Sequence, residues 1–241
     1  MIASAQPAPS LRTRVVLADD HRIVREGLRA LLAREADIEV VGCACDGLEA
    51  VRLSRELQPD VLVTDISMPG LNGIEAIRRV HAEHPGVRLL CLSMHDDSRM
   101  VLGVLDAGAS GYVLKNGSGD ELALAIRRLV AGKVHVSPDL MDVVVGGLRR
   151  PATVPARADQ APLTPREREL VQLLSEGYSA NDVAERLHVS IKTVATHREH
   201  VMRKLRVSSV AELTRYALRE GLSTLDTPCA GLRRPPANRG A

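Results

Sequence analysis

A short apolar run that ends in a carboxylate constrains the fold of this chain most strongly. Residues Val61–Thr64 are apolar or β-branched, Asp65 follows directly, and the run lies between Pro59 and Gly70. A run of this kind, bounded by turn residues, predicts a strand buried on both faces of a parallel sheet. Asp65 would lie at the carboxyl end of that strand, where open α/β sheets bind ligands. Taken alone, Asp65 could equally be a residue that caps the following turn.

Strand and helix patterns alternate five times between Arg14 and Gly132. Strands are expected at 14–18, 38–45, 61–65, 87–93 and 111–114, and helices at 21–33, 47–57, 72–83, 98–107 and 120–131. This alternation predicts an α/β doubly wound fold, with a parallel five-stranded sheet, right-handed crossovers and helices on both faces.

Polar residues follow four of the five predicted strands. Asp19 and Asp20 follow the first strand, Asp65 the third, Ser93 the fourth and Lys115 the fifth. The carboxyl ends of parallel strands meet at one crevice of a doubly wound sheet, so these side chains should lie together. Three carboxylates so close repel unless a cation joins them, and oxygen-only ligands suit Mg²⁺. Asp65 could then attack phosphorus as a nucleophile, while Ser93 and Lys115 hold phosphoryl oxygens.

Residues 14–132 resemble the receiver domain of bacterial two-component response regulators. The resemblance rests on Asp65–Gly70 (DISMPG), on Gly111–Lys115 (GYVLK) and on the acidic pair after the first strand. It implies a flavodoxin-like fold, a sensor histidine kinase as phosphodonor and Mg²⁺ as cofactor. The residue roles that it implies are Asp65 as phosphoacceptor, Asp19, Asp20 and Asp65 as metal ligands, Ser93 and Tyr112 as switch residues, and Lys115 as the invariant lysine. Phosphorylation would move Ser93 toward the phosphoryl group, turn Tyr112 inward and release the second domain.

The second half of the chain has a different charge balance. Between Arg14 and Gly132, 18 acidic residues face 14 basic ones, whereas Ser190–Arg206 has five basic residues and one acidic residue. Thr164, Pro165 and Glu167 predict a capping box at the start of the second domain. Helices are expected at 165–176, 180–187, 191–205 and 210–219. The second and third are joined by three residues, which predicts a helix-turn-helix whose basic second helix enters the DNA major groove.

One face of the long basic helix carries the predicted DNA contacts. Lys192, Ala195, Thr196, Glu199 and Arg203 recur at helical spacing and should form an exposed stripe, although charged stripes are commonly only solvent-facing. Lys192, Thr196 and Glu199 are expected to read bases, and Arg198, Arg203 and Lys204 to contact phosphates. The complete predicted set is Lys192, Thr193, Thr196, His197, Arg198, Glu199, Arg203 and Lys204.

The segment 163–222 resembles the LuxR-type effector domain of NarL/FixJ-class response regulators. LTPRERELVQLL, NDVAERL and THREHVMRKL carry the match. Ala195 and Glu199 depart from the polar or basic residues common in the family, so its base preference cannot be transferred. Arg206 replaces the usual Gly after the long helix, which predicts slight strain. The resemblance implies a homodimer formed through the fourth helix, and part of the set Val210, Leu213, Tyr216 and Ala217 should be exposed.

The predicted domain plan has four parts. They are a receiver at 14–132, a connector and linker at 133–162, a DNA-binding domain at 163–222 and a disordered tail at 223–241. The first 12 residues are also expected to be disordered. Cys43 and Cys45 should share one face of a strand as small buried residues, since no cysteine spacing indicates a metal site. No apolar run is long enough to cross a membrane and no signal peptide is apparent, so a cytoplasmic protein without membrane contact is expected.

The sequence therefore predicts a transcriptional response regulator rather than an enzyme. Phosphorylation on Asp65 would lead to dimerisation and sequence-specific binding of double-stranded DNA. One alternative is a Mg²⁺-dependent phosphohydrolase with an aspartyl-phosphate intermediate, although such enzymes commonly have a second Asp where this chain has Ser67. Another alternative is a DNA-binding regulator that works without phosphorylation.

Overall fold

The structure, a computed structural model, describes residues 12–94, 96–149 and 163–223. The predicted disorder of the N-terminus and tail falls outside these ranges, apart from a few boundary residues, and residues 150–162 of the predicted linker also lie outside them. None of the described helices combines the length and the apolar character that a membrane span requires.

A parallel sheet of six strands forms the first domain, in the order β2-β1-β3-β4-β5-β6. The strands are β1 (Thr13–Ala18), β2 (Ile38–Ala44), β3 (Val61–Thr64), β4 (Arg88–Ser93), β5 (Gly111–Leu114) and β6 (His135–Val136). The doubly wound α/β prediction is confirmed, with one strand more than expected. All four residues of β3 are buried, as the apolar run Val61–Thr64 predicts for a central strand.

Helices cover both faces of the sheet. They are α1 (Arg22–Leu32), α2 (Gly47–Leu57), α3 (Gly73–Glu83), α4 (Ser98–Asp106), α5 (Gly119–Val130) and α6 (Met141–Arg149). Side chains of α2, α3 and α4 form one apolar cluster with the sheet, and side chains of α1 and α5 form another. Aliphatic residues make up nearly all of both clusters, since the chain has no Phe or Trp.

Strand β6 and helix α6 lie in the segment that was predicted to be a connector. His135 pairs with Gly111 of β5, and the backbone N–H of Ser137 donates to the carbonyl of Tyr112 at 2.9 Å. Leu140 is buried in the α2–α3–α4 cluster, and Val144 of α6 packs against it. The prediction was wrong here because a two-residue strand is too short to show alternation.

Two local predictions also need correction. Cys45 is exposed and Cys43 is only half-buried, because β2 ends at Ala44 and leaves Cys45 beyond the sheet. The spacing of Ser118 and Glu121 in the sequence predicts a capping box at the start of α5, and only half of it forms. Ser118 caps the helix, but the Glu121 side chain does not complete the box. It accepts a hydrogen bond from the Ser137 hydroxyl at 2.5 Å instead.

Four helices form the second domain. They are α7 (Pro165–Ser175), α8 (Ala180–Leu187), α9 (Ile191–Leu205) and α10 (Val210–Arg219). The predicted capping box at Thr164 and Glu167 is present. Val194, Val201 and Leu205 face the core of the domain, which leaves the opposite face of α9 exposed. Arg206 has a φ of 55°, so the residue after α9 adopts the left-handed conformation that glycine favours.

Helix α7 packs against the first domain. Arg168 forms an ion pair with Glu75 of α3, and Glu169 forms one with Arg79 of the same helix. Gln172 and Glu176 contact the loop between β3 and α3. The second domain therefore lies directly against the loop that follows Asp65.

Candidate functional site

Three carboxylates and an imidazole meet at the carboxyl ends of β1 and β3. One ligand atom from each of Asp19, Asp20, His21 and Asp65 lies within 4.8 Å of all the others. Asp19 and Asp65 are nearly inaccessible, with exposed fractions of 1% and 4%. Sequence reasoning placed the three carboxylates here and missed His21, although its position directly after Asp20 was an available signal.

Lys115 places a positive charge between two of the carboxylates. Its Nζ lies 2.8 Å from Oδ2 of Asp19 and 3.0 Å from Oδ2 of Asp65. Burial alone would lower the pKa of Lys115, but the charges of Asp65 and Asp19 outweigh it and raise that pKa. The ammonium group therefore stays protonated between the two carboxylates. The side chains at the carboxyl ends of β1, β3 and β5 therefore lie together, as the sequence predicts.

Three carboxylates meet here, with Lys115 beside Asp19 and Asp65 and the His21 imidazole beside Asp20. Burial raises the pKa of Asp65, against the opposing effect of Lys115. Burial also raises the pKa of Asp20, with repulsion from Asp19 and Asp65 adding to it and His21 opposing it. Oδ2 of Asp19 and Oδ1 of Asp20 are buried without a hydrogen bond in the described part of the chain, although Lys115 and His21 approach them as ion-pair partners. A set of crowded carboxylate oxygens with spare acceptor capacity fits a hard divalent cation.

The loop after β3 fixes the orientation of the Asp65 carboxylate. The N–H of Ile66 donates to Oδ1 of Asp65 at 2.8 Å, and the N–H of Gly73 donates to the carbonyl of Ile66 at 2.9 Å. A Cβ atom at position 73 would overlap the carbonyl oxygen of Asp65, so only glycine allows α3 to begin this close. Gly70 has a φ of 79°, which gives the loop its tight turn.

Ser93 and Tyr112 are both fully buried beside the cluster. The Tyr112 hydroxyl is hydrogen-bonded to Ser93, and burial is the main reason that the pKa of Tyr112 is raised. The N–H of Lys115 donates to the carbonyl of Ser93 at 2.8 Å, which links the ends of β4 and β5. The family resemblance implied that Tyr112 turns inward when Asp65 is phosphorylated. In this structure Tyr112 is already inward.

Helix α9 presents most of the predicted DNA contacts to solvent. Its exposed members are Lys192, Thr196, His197, Arg198, Glu199 and Arg203, and Ala195 lies among them. Thr193 is half-buried, and its hydroxyl lies 2.8 Å from the hydroxyl of Ser190, the residue that caps the helix. Since the packed second domain already exposes this face of α9, its release from the receiver is not needed to expose the predicted contacts.

Lys204 lies apart from the exposed stripe. Its Nζ is 2.7 Å from Oε2 of Glu167, and only 14% of its side chain is exposed. The structure therefore favours a structural role for Lys204, in which it holds α9 against the start of α7. Arg203 remains exposed, within 3.3 Å of Glu199 one turn earlier.

Part of the predicted dimer surface on α10 is exposed, and part is buried in its own domain. Leu213 and Ala217 are fully buried in the core of their own domain, so they are not available for a partner. Val210 is 38% exposed and Tyr216 is half-buried. Only the N-terminal part of the predicted surface is therefore open, because the middle of α10 packs on α7.

Comparison with known proteins gives a consistent family assignment. Residues 15–127 match the family described as "Response regulator receiver domain", and residues 161–217 match "Bacterial regulatory proteins, luxR family". The "Oxygen regulatory protein NreC" of Staphylococcus epidermidis is 39% identical over 214 residues, which cover 87% of this chain and 98% of the relative. The chain belongs to the LuxR family of response regulators.

Two solved structures support this assignment. A two-component response regulator of the LuxR family from Aurantimonas sp. SI85-9A1 is 42% identical, with a TM-score of 0.55, over 57% of this chain and 98% of that chain. A structure described as two RcsB dimers bound to two parallel DNAs is 29% identical, with a TM-score of 0.53, over 87% of this chain and 98% of that one. The prediction that this chain is a two-component response regulator with a LuxR-type DNA-binding domain is therefore confirmed. The members of this family are transcriptional regulators.

Proposed function

We propose that Asp65 accepts a phosphoryl group from a sensor histidine kinase and that this controls dimerisation and sequence-specific binding of double-stranded DNA. The proposed receiver spans 14–132 and the proposed DNA-binding domain spans 163–222. The observation that carries the proposal is the convergence of Asp65 with Asp19, Asp20 and Lys115 at one end of the sheet.

In this proposal the carboxylates of Asp19, Asp20 and Asp65 hold Mg²⁺. Bound there, Mg²⁺ would offset the charge of the incoming phosphoryl oxygens. Asp65 is the nucleophile, and the Ile66 N–H holds its Oδ1 in a fixed orientation. Lys115 neutralises negative charge that develops on the phosphoryl group. The hydroxyl of Ser93 is placed to change partners from Tyr112 to a phosphoryl oxygen.

The DNA-binding part of the proposal uses the exposed face of α9. Lys192, Thr196 and Glu199 lie on its N-terminal half and contact base edges, while Arg198 and Arg203 contact phosphates. Thr193 and His197 flank that face, and Thr193 can also act through the helix cap. Lys204 is left out of the phosphate contacts, because it is paired with Glu167. A homodimer formed through Val210 at the start of α10 is supported by its exposure.

Labelling with a small phosphodonor tests the phosphoacceptor. Wild-type protein should gain an acid-stable but alkali-labile label from acetyl phosphate in the presence of Mg²⁺, and Asp65→Asn should gain none, because an amide is not a nucleophile here. The matched control is Glu39→Gln, which removes an exposed carboxylate from β2 and should label normally. Full labelling of Asp65→Asn would refute the assignment. Rapid turnover of phosphomonoesters by the wild type would favour the phosphohydrolase alternative.

A further inference from the structure

Two side chains of α7, in the DNA-binding domain, hold the loop that follows the phosphoacceptor. Gln172 donates from Nε2 to the Met68 carbonyl at 3.1 Å and accepts at Oε1 from the Asn72 N–H at 3.0 Å. Glu176 accepts at Oε2 from the Gly70 N–H at 3.1 Å. The first, middle and last residues of the five-residue segment Met68–Asn72 are thus bonded through their backbone to the other domain.

This network is buried and its members support one another. Gln172 is 1% exposed and Glu176 is 3% exposed, and Nε2 of Gln172 also donates to Oε1 of Glu176 at 2.6 Å. Asn72 donates from Nδ2 to the carbonyl of Leu222 at 3.1 Å and caps α3 with its Oδ1. Buried polar groups that lose a partner are costly, so these contacts specify one conformation of the loop.

The same segment is tied closely to Asp65. Only Ile66 and Ser67 separate Asp65 from Met68, and the N–H of Ile66 orients the Asp65 carboxylate. The N–H of Gly73, the residue after the segment, donates back to Ile66. A change in Met68–Asn72 therefore reaches the phosphoacceptor through backbone hydrogen bonds at both ends.

We infer that Gln172 and Glu176 are positioning residues for phosphoryl transfer, through which the docked DNA-binding domain speeds the phosphorylation of Asp65. The inference rests on the proposed function. Its direction follows from the hydrogen bonds of Gln172 and Glu176, which hold Met68–Asn72 in one conformation beside Asp65. A loop held in this geometry needs less ordering to reach the transition state than a loop that is free. The exposed face of α9 shows that docking and an accessible recognition helix coexist.

The test is the initial rate of Asp65 labelling by acetyl phosphate at saturating Mg²⁺ in the full chain. Gln172→Met keeps the length of the side chain and removes its hydrogen bonds, and the rate should fall three- to tenfold. Glu176→Leu should lower the rate in the same way. The matched control is Glu169→Gln, which weakens the ion pair to Arg79 across the same interface without touching the loop. It should label within twofold of the wild type.

Each outcome separates the inference from the proposed function. The inference is overturned if a folded Gln172→Met chain is labelled at an unchanged or faster rate. If Gln172→Met does not fold, the same result in Glu176→Leu overturns it. An equal fall in Glu169→Gln also overturns it, because docking in general would then matter rather than the loop contacts. A wild-type chain that takes no label overturns the proposed function, and the inference with it. A slower Gln172→Met beside a normal Glu169→Gln supports both.

Discussion

Asp20→Asn should make the metal-free receiver domain more stable and weaken its response to Mg²⁺. Asp20 contributes one of three carboxylates whose ligand atoms lie within 4.8 Å of one another, and within the described ranges His21 is its ion-pair partner. Burial is the first cause of the raised pKa of Asp20; His21 opposes it, and repulsion from Asp19 and Asp65 adds to it. An acid with a raised pKa carries a penalty in its charged form, so folding stability falls as the pH rises through the interval between the unfolded and folded pKa.

The size of the effect follows from these distances. Two unit charges about 5 Å apart at an effective dielectric constant of about 20 repel by about 3 kcal/mol. Asp20 has two such neighbours, but it also pairs with His21 and lies at the outer edge of the cluster, with 15% of its side chain exposed. We therefore expect a net gain of about 1–2 kcal/mol in the free energy of unfolding, as buried charge is often costlier than its neutral replacement.

Urea denaturation followed by far-UV circular dichroism would measure this change. In the full chain, the unfolding transition of the receiver domain is the one whose midpoint moves with Mg²⁺. A ligand at 100 times its dissociation constant adds about 2.7 kcal/mol to the free energy of unfolding of the domain that binds it. Asp20→Asn should raise the midpoint without Mg²⁺ and reduce its shift with Mg²⁺. Glu39→Gln is the control for the loss of one negative charge. It should change neither the free energy of unfolding without Mg²⁺ nor the stabilisation by Mg²⁺ by more than about 0.5 kcal/mol. A less stable metal-free Asp20→Asn would show that the Asp20 charge does not destabilise the metal-free site, and a full Mg²⁺ shift in this variant would show that Asp20 does not hold the metal.

Three further predictions concern the DNA-binding domain. Lys204→Met should lower its free energy of unfolding by about 1–3 kcal/mol at neutral pH, because Glu167 loses a buried partner. Burial raises the pKa of Glu167, but the hydrogen bonds from Lys204 and Thr164 and the charge of Lys204 outweigh it, so the pKa is lowered in the folded state. The stability difference between wild type and Lys204→Met should therefore disappear as the pH falls through that folded pKa. A salt slope of DNA binding that Lys204→Met leaves unchanged would agree with its structural role, and a slope reduced by about one would contradict it. Glu199→Ala should change the motif recovered by binding-site selection, and an unchanged motif would show that Glu199 only faces solvent. Val210→Asp should weaken dimerisation on DNA about tenfold or more in sedimentation experiments, whereas an unaffected dimer would place the interface elsewhere.

Much of the fold could be predicted because local signals agree with the tertiary structure. The apolar run of β3, the caps at Thr164 and Ser118 and the period of α9 each point to the observed element. Strand β6 was missed because pairing with β5, and not its own two residues, makes it a strand. Cys45 was misplaced because the end of β2 could not be located to a single residue.

The acidic site could be predicted because parallel strands bring their carboxyl ends together. The partners of individual charged side chains could not be predicted from the sequence in the same way. Lys204 has the spacing of a surface cation, and only the packing of α9 on α7 pairs it with Glu167. Nothing in the sequence around Gln172 indicates a contact with a loop about 100 residues away. Such contacts depend on how the two domains dock, and helical periodicity carries no information about docking.

The decisive measurement for the proposed function is the affinity for DNA with and without phosphorylation of Asp65. A duplex selected from random sequence by the phosphodonor-treated chain would be titrated at fixed salt by fluorescence anisotropy, against wild-type protein and Asp65→Asn. If phosphorylation of Asp65 controls DNA binding, acetyl phosphate with Mg²⁺ should tighten wild-type binding about tenfold or more and leave Asp65→Asn unchanged. Equal wild-type affinity with and without the phosphodonor, in a chain shown to be labelled, would contradict it.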